Sequence, residues 1–218
     1  MLNGIKRAIF FGAHTDDEMV CAGTLRRLYH QGCNIDIVSF GPAGTKDDPD
    51  GGERALEVVV PEWMTACRLI SGTTEGWNCW DESWLIPSKS LHTRGQEIAD
   101  LAFHIVEEIR PDLCLILSPE DENPAHAEVG RQCERVMRGR VPYVARCLYP
   151  WNFGSGRPNL YVTLSPEDVA VKSAVCRAYK SQEWRYNYHD LFMAQARADG
   201  LSVKAEYAER FELLRAVV

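Results

Sequence analysis

The chain has 218 residues, of which 45% are hydrophobic and 25% are charged, and this composition is typical of a globular protein rather than a disordered one. The formal net charge of −7 argues against nucleic acid as a partner and against docking on anionic lipid, because an acidic surface is repelled by phosphates. We therefore expect one domain over residues 1–218, large enough to bury most of its apolar surface.

The expected location is cytoplasmic, without membrane insertion. Residues 1–7 contain no apolar run followed by a small-residue cleavage site, so no signal peptide is expected. No segment has enough consecutive apolar residues to span a bilayer. The eight cysteines are scattered without a C-x-x-C pair, which favours reduced thiols and a disulfide-free chain.

Apolar runs and helix-start signals alternate along the chain. Short apolar runs predict strands at 8–11, 35–40, 113–117, 144–149 and 159–164. Helix signals predict helices that begin after residue 18, at Pro61, behind a Thr93/Gln96 capping box, at Pro124 and at Pro166. Residues 41–53 are typical of a long loop, and a third strand within 71–92 is the least defined element.

This alternation predicts a doubly wound α/β fold, with a mainly parallel sheet and helices on both faces. In such a sheet the strand order reverses between the first strand and the fourth, counted here as 113–117, and ligands bind beyond the carboxyl ends there. The loop after the first strand carries His14 to Glu18, and the later loop carries Asp121 to His126. The two polar loops should therefore meet in one crevice.

The first of these loops suits a divalent cation. A dinucleotide needs a glycine-rich turn whose backbone N–H groups approach phosphates, whereas this turn has one histidine and three acids. His14 and Asp17 can hold one ion together with His126, which leaves a position for water as in catalytic zinc sites. The bound water would have a pKa of roughly 7, and Asp16 is free to take up a proton and return it to the leaving amine.

Simpler interpretations of the same residues stay open. Acids at 16–18 are also typical of a helix N-terminus, where they interact favourably with the helix dipole. A single histidine at the start of a helix, such as His126, is commonly a surface residue. The metal hypothesis depends on the two loops lying together.

Several strings in the chain, taken in order, resemble one known family. Residues 13–18 (AHTDDE) are similar to the AHPDDE signature of the LmbE-like, or PIG-L, N-acetylglucosamine deacetylase family. Further similar strings are Gly23–Leu25, His126–Gly130, Lys172–Gln182 and Tyr207–Phe211. The resemblance implies a Rossmann-like fold and a zinc-dependent hydrolase that removes an N-acetyl group from an N-acetylated sugar or glycoside.

The resemblance also implies roles for individual residues. His14, Asp17 and His126 resemble the family's metal ligands, and Asp16 resembles its general base. Zinc is the expected ion, with iron as an alternative because the ligand set does not discriminate sharply between them.

The second motif departs from the family pattern. It usually reads H-x-D-H, and its first histidine is implied to stabilise the oxyanion. The chain has Asn123 and Ala125 at those positions. Asn123 could donate a hydrogen bond to the oxyanion instead, or it could be a plain helix cap. Losing one oxyanion donor lowers turnover ~100-fold or more.

Substrate contacts are predicted from weaker similarities. Arg54 resembles the arginine of an R-x-x-E string near the substrate, and Asp81 resembles an aspartate that holds sugar hydroxyls. The tryptophans Trp77, Trp80, Trp84 and Trp151 could stack on a sugar, or fill a core or the interface of a homo-oligomer.

Two other functions stay open. The first is an amidase that acts on a non-acetyl amide, such as a thiol conjugate or a natural-product intermediate. The second is a metal-retaining binding protein without turnover, which the changes at Asn123 and Ala125 would explain.

Overall fold

The computed structural model of the protein describes residues 4–72, 86–152 and 156–217. Its strands are β1 (Arg7–His14), β2 (Asn34–Gly41), β3 (Leu113–Ile116), β4 (Tyr143–Cys147), β5 (Leu160–Thr163) and β6 (Ala208–Ala216). Its α-helices are α1 (Ala22–His30), α2 (Glu53–Ser71), α3 (Gly95–Ile109), α4 (Pro124–Met137), α5 (Pro166–Ala178) and α6 (Tyr188–Ser202). Short 3-10 helices occur at Asp17–Val20, Ser88–Thr93 and Lys180–Gln182.

The six strands form one mainly parallel sheet in the order β2-β1-β3-β4-β6-β5. The pairs β1–β2, β1–β3 and β3–β4 are parallel, whereas β6 runs antiparallel to both β4 and β5. Helix α3 packs against α4, and α1 packs against α2 and α5. The predicted α/β fold class is confirmed, with an antiparallel part at one edge that the sequence pattern did not indicate.

The strand order reverses at β1, and this places the two polar loops side by side. Strand β1 pairs with β2 on one side and with β3 on the other, with Phe11 opposite Ile116 in the β3 register. Because parallel strands end at the same edge, the chain leaving β1 and the chain leaving β3 emerge next to each other. Both strands are buried along their length, as their apolar runs predict.

Helix α2 begins eight residues before the predicted start at Pro61, which lies inside the helix. The carboxylate of Asp48 accepts a hydrogen bond from the Ala55 backbone N–H (3.2 Å) and so satisfies a donor in the first turn. Ala55, Val59 and Trp63 are buried along one face of the helix. Burial of this face and the hydrogen bond to Asp48 in the preceding loop outweigh the local signal of the proline.

The predicted capping box of Thr93 and Gln96 is wrong. The Thr93 hydroxyl donates to the Ser90 carbonyl oxygen (2.9 Å), and α3 begins at Gly95 without a side-chain cap. The predicted starts at Pro124 and Pro166 are confirmed. In both cases the residue before the proline accepts a helix N–H with its side chain, as the sequence pattern requires.

A buried ion pair connects the late part of the chain to the first loop. Lys172 Nζ lies 2.7 Å from Glu209 Oε1 and donates to the Met19 carbonyl oxygen (2.6 Å). The Glu209 carboxylate also accepts the backbone N–H groups of Gly23 (3.0 Å) and Thr24 (2.7 Å) at the start of α1. Three of the strings that carry the family resemblance therefore contact one another, and this contact fixes the turn that follows β1.

The remaining predictions concern membrane spans, cysteines, the segment 71–92 and the number of domains. None of the helices in the described ranges has the length and apolar character needed to cross a bilayer. The seven described cysteines are buried and free, and Cys79 lies outside the described residues. Most of the segment 71–92, with its proposed third strand, also lies outside them. That residues 1–218 form one domain stays a prediction.

Candidate metal centre

The turn after β1 is organised by the side chain of Asp17. Its Oδ2 accepts the backbone N–H groups of Ala13 (2.7 Å) and His14 (2.8 Å), so the carboxylate folds back onto the end of the strand. The Tyr149 hydroxyl, which follows β4, lies 3.0 Å from the other oxygen, Oδ1. These contacts fix the orientation of the carboxylate beside the His14 ring.

His126 reaches the same point from the first turn of α4. Its Nδ1 lies 3.2 Å from Asp121 Oδ2, which also accepts a hydrogen bond from the Asn152 amide (2.8 Å). A carboxylate only accepts hydrogen bonds, so Nδ1 carries the hydrogen. The other ring nitrogen, Nε2, is then directed toward His14 and Asp17.

The ligand atoms of the three residues converge. His126 Nε2 lies 3.1 Å from His14 Nδ1 and 3.1 Å from Asp17 Oδ1. His14 Nδ1 lies 3.8 Å from Asp17 Oδ2, and one ligand atom from each residue lies within 4.8 Å of the others. Ligands at about 2.1 Å from a tetrahedral zinc ion are ~3.4 Å apart. The donor set and its spacing therefore fit one divalent ion.

The pKa values of His14, His126 and Asp17 favour the binding of a cation. Burial lowers the pKa of His14 to about 4, so its ring is neutral at pH 7 and can act as a ligand. Burial also opposes a charge on His126, but Asp17 and Asp121 outweigh it and raise the pKa of that ring. Burial opposes the Asp17 charge as well, yet His126 holds the pKa of this carboxyl below its usual value. A metal ion would replace the proton on His126.

Asp16 is buried beside this group without belonging to it. Burial, and then the charge of Asp17, raise the pKa of Asp16 to about 7. Its side chain borders a cavity of about 500 Å³ that is also lined by His14, Asp17 and His126. A carboxylate that titrates near neutrality can both accept a proton and return it.

Aromatic side chains form another part of the cavity lining. The rings of Tyr149 and Trp151 lie 4.6 Å apart between centroids, and those of Tyr188 and Phe192 are stacked at 6.0 Å. We call these four residues the aromatic wall. Such a wall can pack against the face of a sugar or another apolar group.

The profile of the PIG-L family, described as GlcNAc-PI de-N-acetylase, matches residues 9–137 of the chain. The chain belongs to the PIG-L family. The match includes the turn after β1 and the first turn of α4, which supply the whole His-Asp-His group. By its family, the PIG-L protein is an enzyme of the amide hydrolase class. A comparison with curated protein sequences finds no match.

Solved structures share the fold of this PIG-L protein. The conserved protein TT1542 from Thermus thermophilus has a TM-score of 0.80 at 20% identity, covering 100% of this chain and 97% of its own. The N,N'-diacetylchitobiose deacetylase from Pyrococcus horikoshii has a TM-score of 0.71 at 16% identity, with coverages of 97% and 84%. A zinc-inhibited form of teicoplanin deacetylase has a TM-score of 0.71 at 18% identity, with coverages of 95% and 97%.

Asn123 caps helix α4 and also borders the cavity of this PIG-L chain. Its Oδ1 accepts the Ala125 backbone N–H (2.9 Å) and caps α4. The same side chain borders the cavity, and no acceptor in the described ranges bonds its Nδ2. The helix-cap interpretation is correct, and it leaves the amide N–H group available to a ligand.

The two predicted substrate contacts are not brought to the cavity by the described residues. Arg54 is exposed in the first turn of α2 and does not border the cavity. Asp81, like Trp77, Trp80 and Trp84, lies outside the described residues. His189, in the first turn of α6, is hydrogen-bonded to Ser173 (2.9 Å) and does not border the cavity. Substrate roles for Arg54 and Asp81 stay predictions.

The sequence did not identify several residues of this PIG-L protein that line the cavity or support the metal centre. Tyr149 and Asn152 follow β4, which pairs with β3, so the rule that sites lie at carboxyl strand ends could have identified them. Asp121 was placed in the correct loop but without a role. Arg185 comes from the connection into α6 and Tyr188 is the first residue of that helix, and no local pattern there indicates a site.

Proposed function

We propose that the protein removes an N-acetyl group from a small molecule that contains N-acetylglucosamine, with one zinc ion held by His14, Asp17 and His126. The observation that carries this proposal is the convergence of these three side chains at the edge of the sheet, with ligand atoms within 4.8 Å of one another. Family membership and deacetylases of the same fold support the reaction class.

The donor set of two imidazoles and one carboxylate is typical of catalytic zinc, and iron is the alternative ion. When bound, the ion would polarise the scissile carbonyl and supply a water molecule with a pKa near about 7. His14 and His126 contribute neutral nitrogens, and Asp17 contributes one negative charge. Asp121 keeps the His126 ring in the tautomer that can bind.

The other side chains at the cavity would act on the amide. Asp16, whose pKa is raised to about 7 by burial and by Asp17, takes a proton from the attacking water and delivers it to the leaving nitrogen. The Nδ2 group of Asn123 donates to the amide oxygen as negative charge develops there. The aromatic wall packs against the sugar ring.

The test is an Asp16→Asn variant assayed for acetate release from N-acetylglucosamine and its glycosides. The amide has nearly the same shape but cannot accept the proton, so we expect a loss of about 100- to 10,000-fold in kcat with zinc content unchanged. Asp100→Asn, an exposed aspartate on α3, is the matched control and should have full activity.

The same assay decides between the alternatives. Faster cleavage of N-formyl, N-propionyl or thiol-conjugate amides than of N-acetyl sugars would favour the amidase of different specificity. A cavity of about 500 Å³ with an aromatic wall has room for such groups. Zinc bound at one equivalent without cleavage of any amide would mean a binding protein. A cytoplasmic location and a homo-oligomer stay predictions for fractionation and light scattering.

A further inference from the structure

Arg185 is an exposed arginine of the connection into α6. Its side chain borders the cavity of the candidate metal centre, and no carboxylate lies within ion-pair distance of it in the described ranges. Seven of the 17 other arginines form ion pairs, so the position of Arg185 at the cavity distinguishes it, and not the lack of an ion pair alone. A guanidinium at the edge of a cavity without a carboxylate in contact is available to a ligand.

The surroundings of Arg185 orient its guanidinium group. The guanidinium carbon lies 4.9 Å from the centroid of the Trp184 ring, and the group is beside the Tyr188 hydroxyl. A Cβ at Gly44 would stand 2.9 Å from Arg185 Nη2, so the glycine leaves room for the group. Neither the ring nor the hydroxyl neutralises the charge, and the N–H donors that remain can bind an acceptor.

Arg185 is the only lysine or arginine among the described residues that line the cavity. The carboxylates of the lining are Asp16, Asp17 and Glu122, and the charge of Arg185 opposes the rise that burial causes in the pKa of Asp16. The divalent ion that the site is proposed to hold would balance Asp16 and Asp17. An anionic group on a substrate in this cavity would then be attracted to Arg185.

We propose that Arg185 is a specificity-determining residue that binds an anionic oxygen group, a phosphate or a carboxylate, on the substrate. The planar fork of a guanidinium matches both groups with two parallel hydrogen bonds. This proposal rests on the proposed function, and it narrows the substrate class to N-acetylated sugars that carry an anionic group. The aromatic wall then contacts the sugar, and Arg185 contacts its charged substituent.

The experiment compares matched ligands with and without the charge. Acetate release is measured with N-acetylglucosamine, its 6-phosphate and its 6-carboxylate, and the binding of glucosamine and glucosamine 6-phosphate is measured by calorimetry. Hydrogen bonds to a charged group predict a preference of ~10- to 100-fold for the anionic ligands. A larger preference for phosphate or for carboxylate identifies which group the site accepts.

The variants Arg185→Gln and Arg185→Lys test the residue itself. Glutamine should abolish the ratio of kcat/KM and of binding between anionic and neutral ligands, and lysine should keep part of that ratio because the charge remains. Arg135→Gln, at an exposed position on α4, should change nothing. Equal binding of the charged and neutral ligands by the unmodified protein would overturn the proposal, as would a preference that survives in Arg185→Gln.

The binding measurement separates this proposal from the proposed function. If no N-acetyl sugar is hydrolysed but glucosamine 6-phosphate still binds more tightly than glucosamine through Arg185, the anion site stands and the reaction is wrong. If N-acetylglucosamine is hydrolysed and no anionic ligand is preferred, the reaction stands and the anion site is wrong.

Discussion

Replacing Asp121 with asparagine should weaken metal binding although residue 121 is not itself a ligand. The carboxylate is fully buried, and its Oδ2 lies 3.2 Å from His126 Nδ1 and 2.8 Å from Asn152 Nδ2. Its other oxygen accepts the Asn123 backbone N–H (2.8 Å). In each of these three contacts a carboxylate oxygen faces a donor, and an amide cannot reproduce this arrangement.

Each orientation of the new amide leaves a donor facing a donor. If its NH2 group takes the place of Oδ2, it meets both the His126 ring and the Asn152 amide. If it takes the place of Oδ1, it meets the Asn123 backbone N–H instead. His126 can relieve the first conflict by moving its hydrogen to Nε2, but that nitrogen is the proposed ligand atom.

The expected loss is ~10- to 100-fold in zinc affinity, which corresponds to about 1.4–2.7 kcal/mol. Competition with a chromogenic chelator measures it, and circular dichroism checks that the variant is folded. Asp112→Asn is the control, because the Asp112 carboxylate also accepts two backbone N–H groups, from Lys6 (2.8 Å) and Arg7 (3.0 Å), away from the cavity. Unchanged zinc affinity in folded Asp121→Asn would refute the reasoning.

Two further predictions concern stability. Glu209→Gln leaves the buried charge of Lys172 without its partner, so the free energy of unfolding in urea should fall by about 3–5 kcal/mol; Lys172→Met in the same chain should restore part of it, and a fall below ~1 kcal/mol would contradict the role of the pair. Burial raises the pKa of Asp199 to about 6 despite Arg210 at 3.6 Å. The folded state then binds the Asp199 proton more tightly than the unfolded state does. The protonated side chain therefore makes its full contribution to the free energy of unfolding below pH ~4, and this contribution is lost as the pH rises through ~6. Between pH 4 and pH 7, the free energy of unfolding of Asp199→Asn should therefore rise by ~1–3 kcal/mol relative to that of the parent protein. A difference in unfolding free energy that does not change with pH would exclude this explanation.

The meeting of His14, Asp17 and His126 could be predicted because it depends mainly on strand order. Apolar runs identify β1 and β3, and the reversal of a doubly wound sheet places the loops that follow them together. The positions of the ligands within those loops then decide the geometry. No detailed knowledge of packing was needed to bring the three side chains to one edge of the sheet.

Features that depend on contacts between distant residues could not be predicted. The start of α2 is set by Asp48 and by burial of its apolar face, neither of which is visible in the sequence around Pro61. The pairing of Asp121 with His126 requires the exact turn of the loop, and Arg185 reaches the cavity from a connection without periodicity. Local sequence patterns identify helices and strands and their order. Side-chain contacts between different parts of the fold can be identified only from the three-dimensional structure.

The ion pair between Lys172 and Glu209 has a consequence for the order in which the protein assembles on the ribosome. All three proposed metal ligands are synthesised before residue 172, yet the turn that contains Asp17 is held by Lys172, whose charge has no partner until Glu209 has emerged. Strand β6, which carries Glu209, must also pair with β4 and β5. We expect nascent chains that stop short of this strand to bind zinc weakly, so that metal uptake follows synthesis of β6.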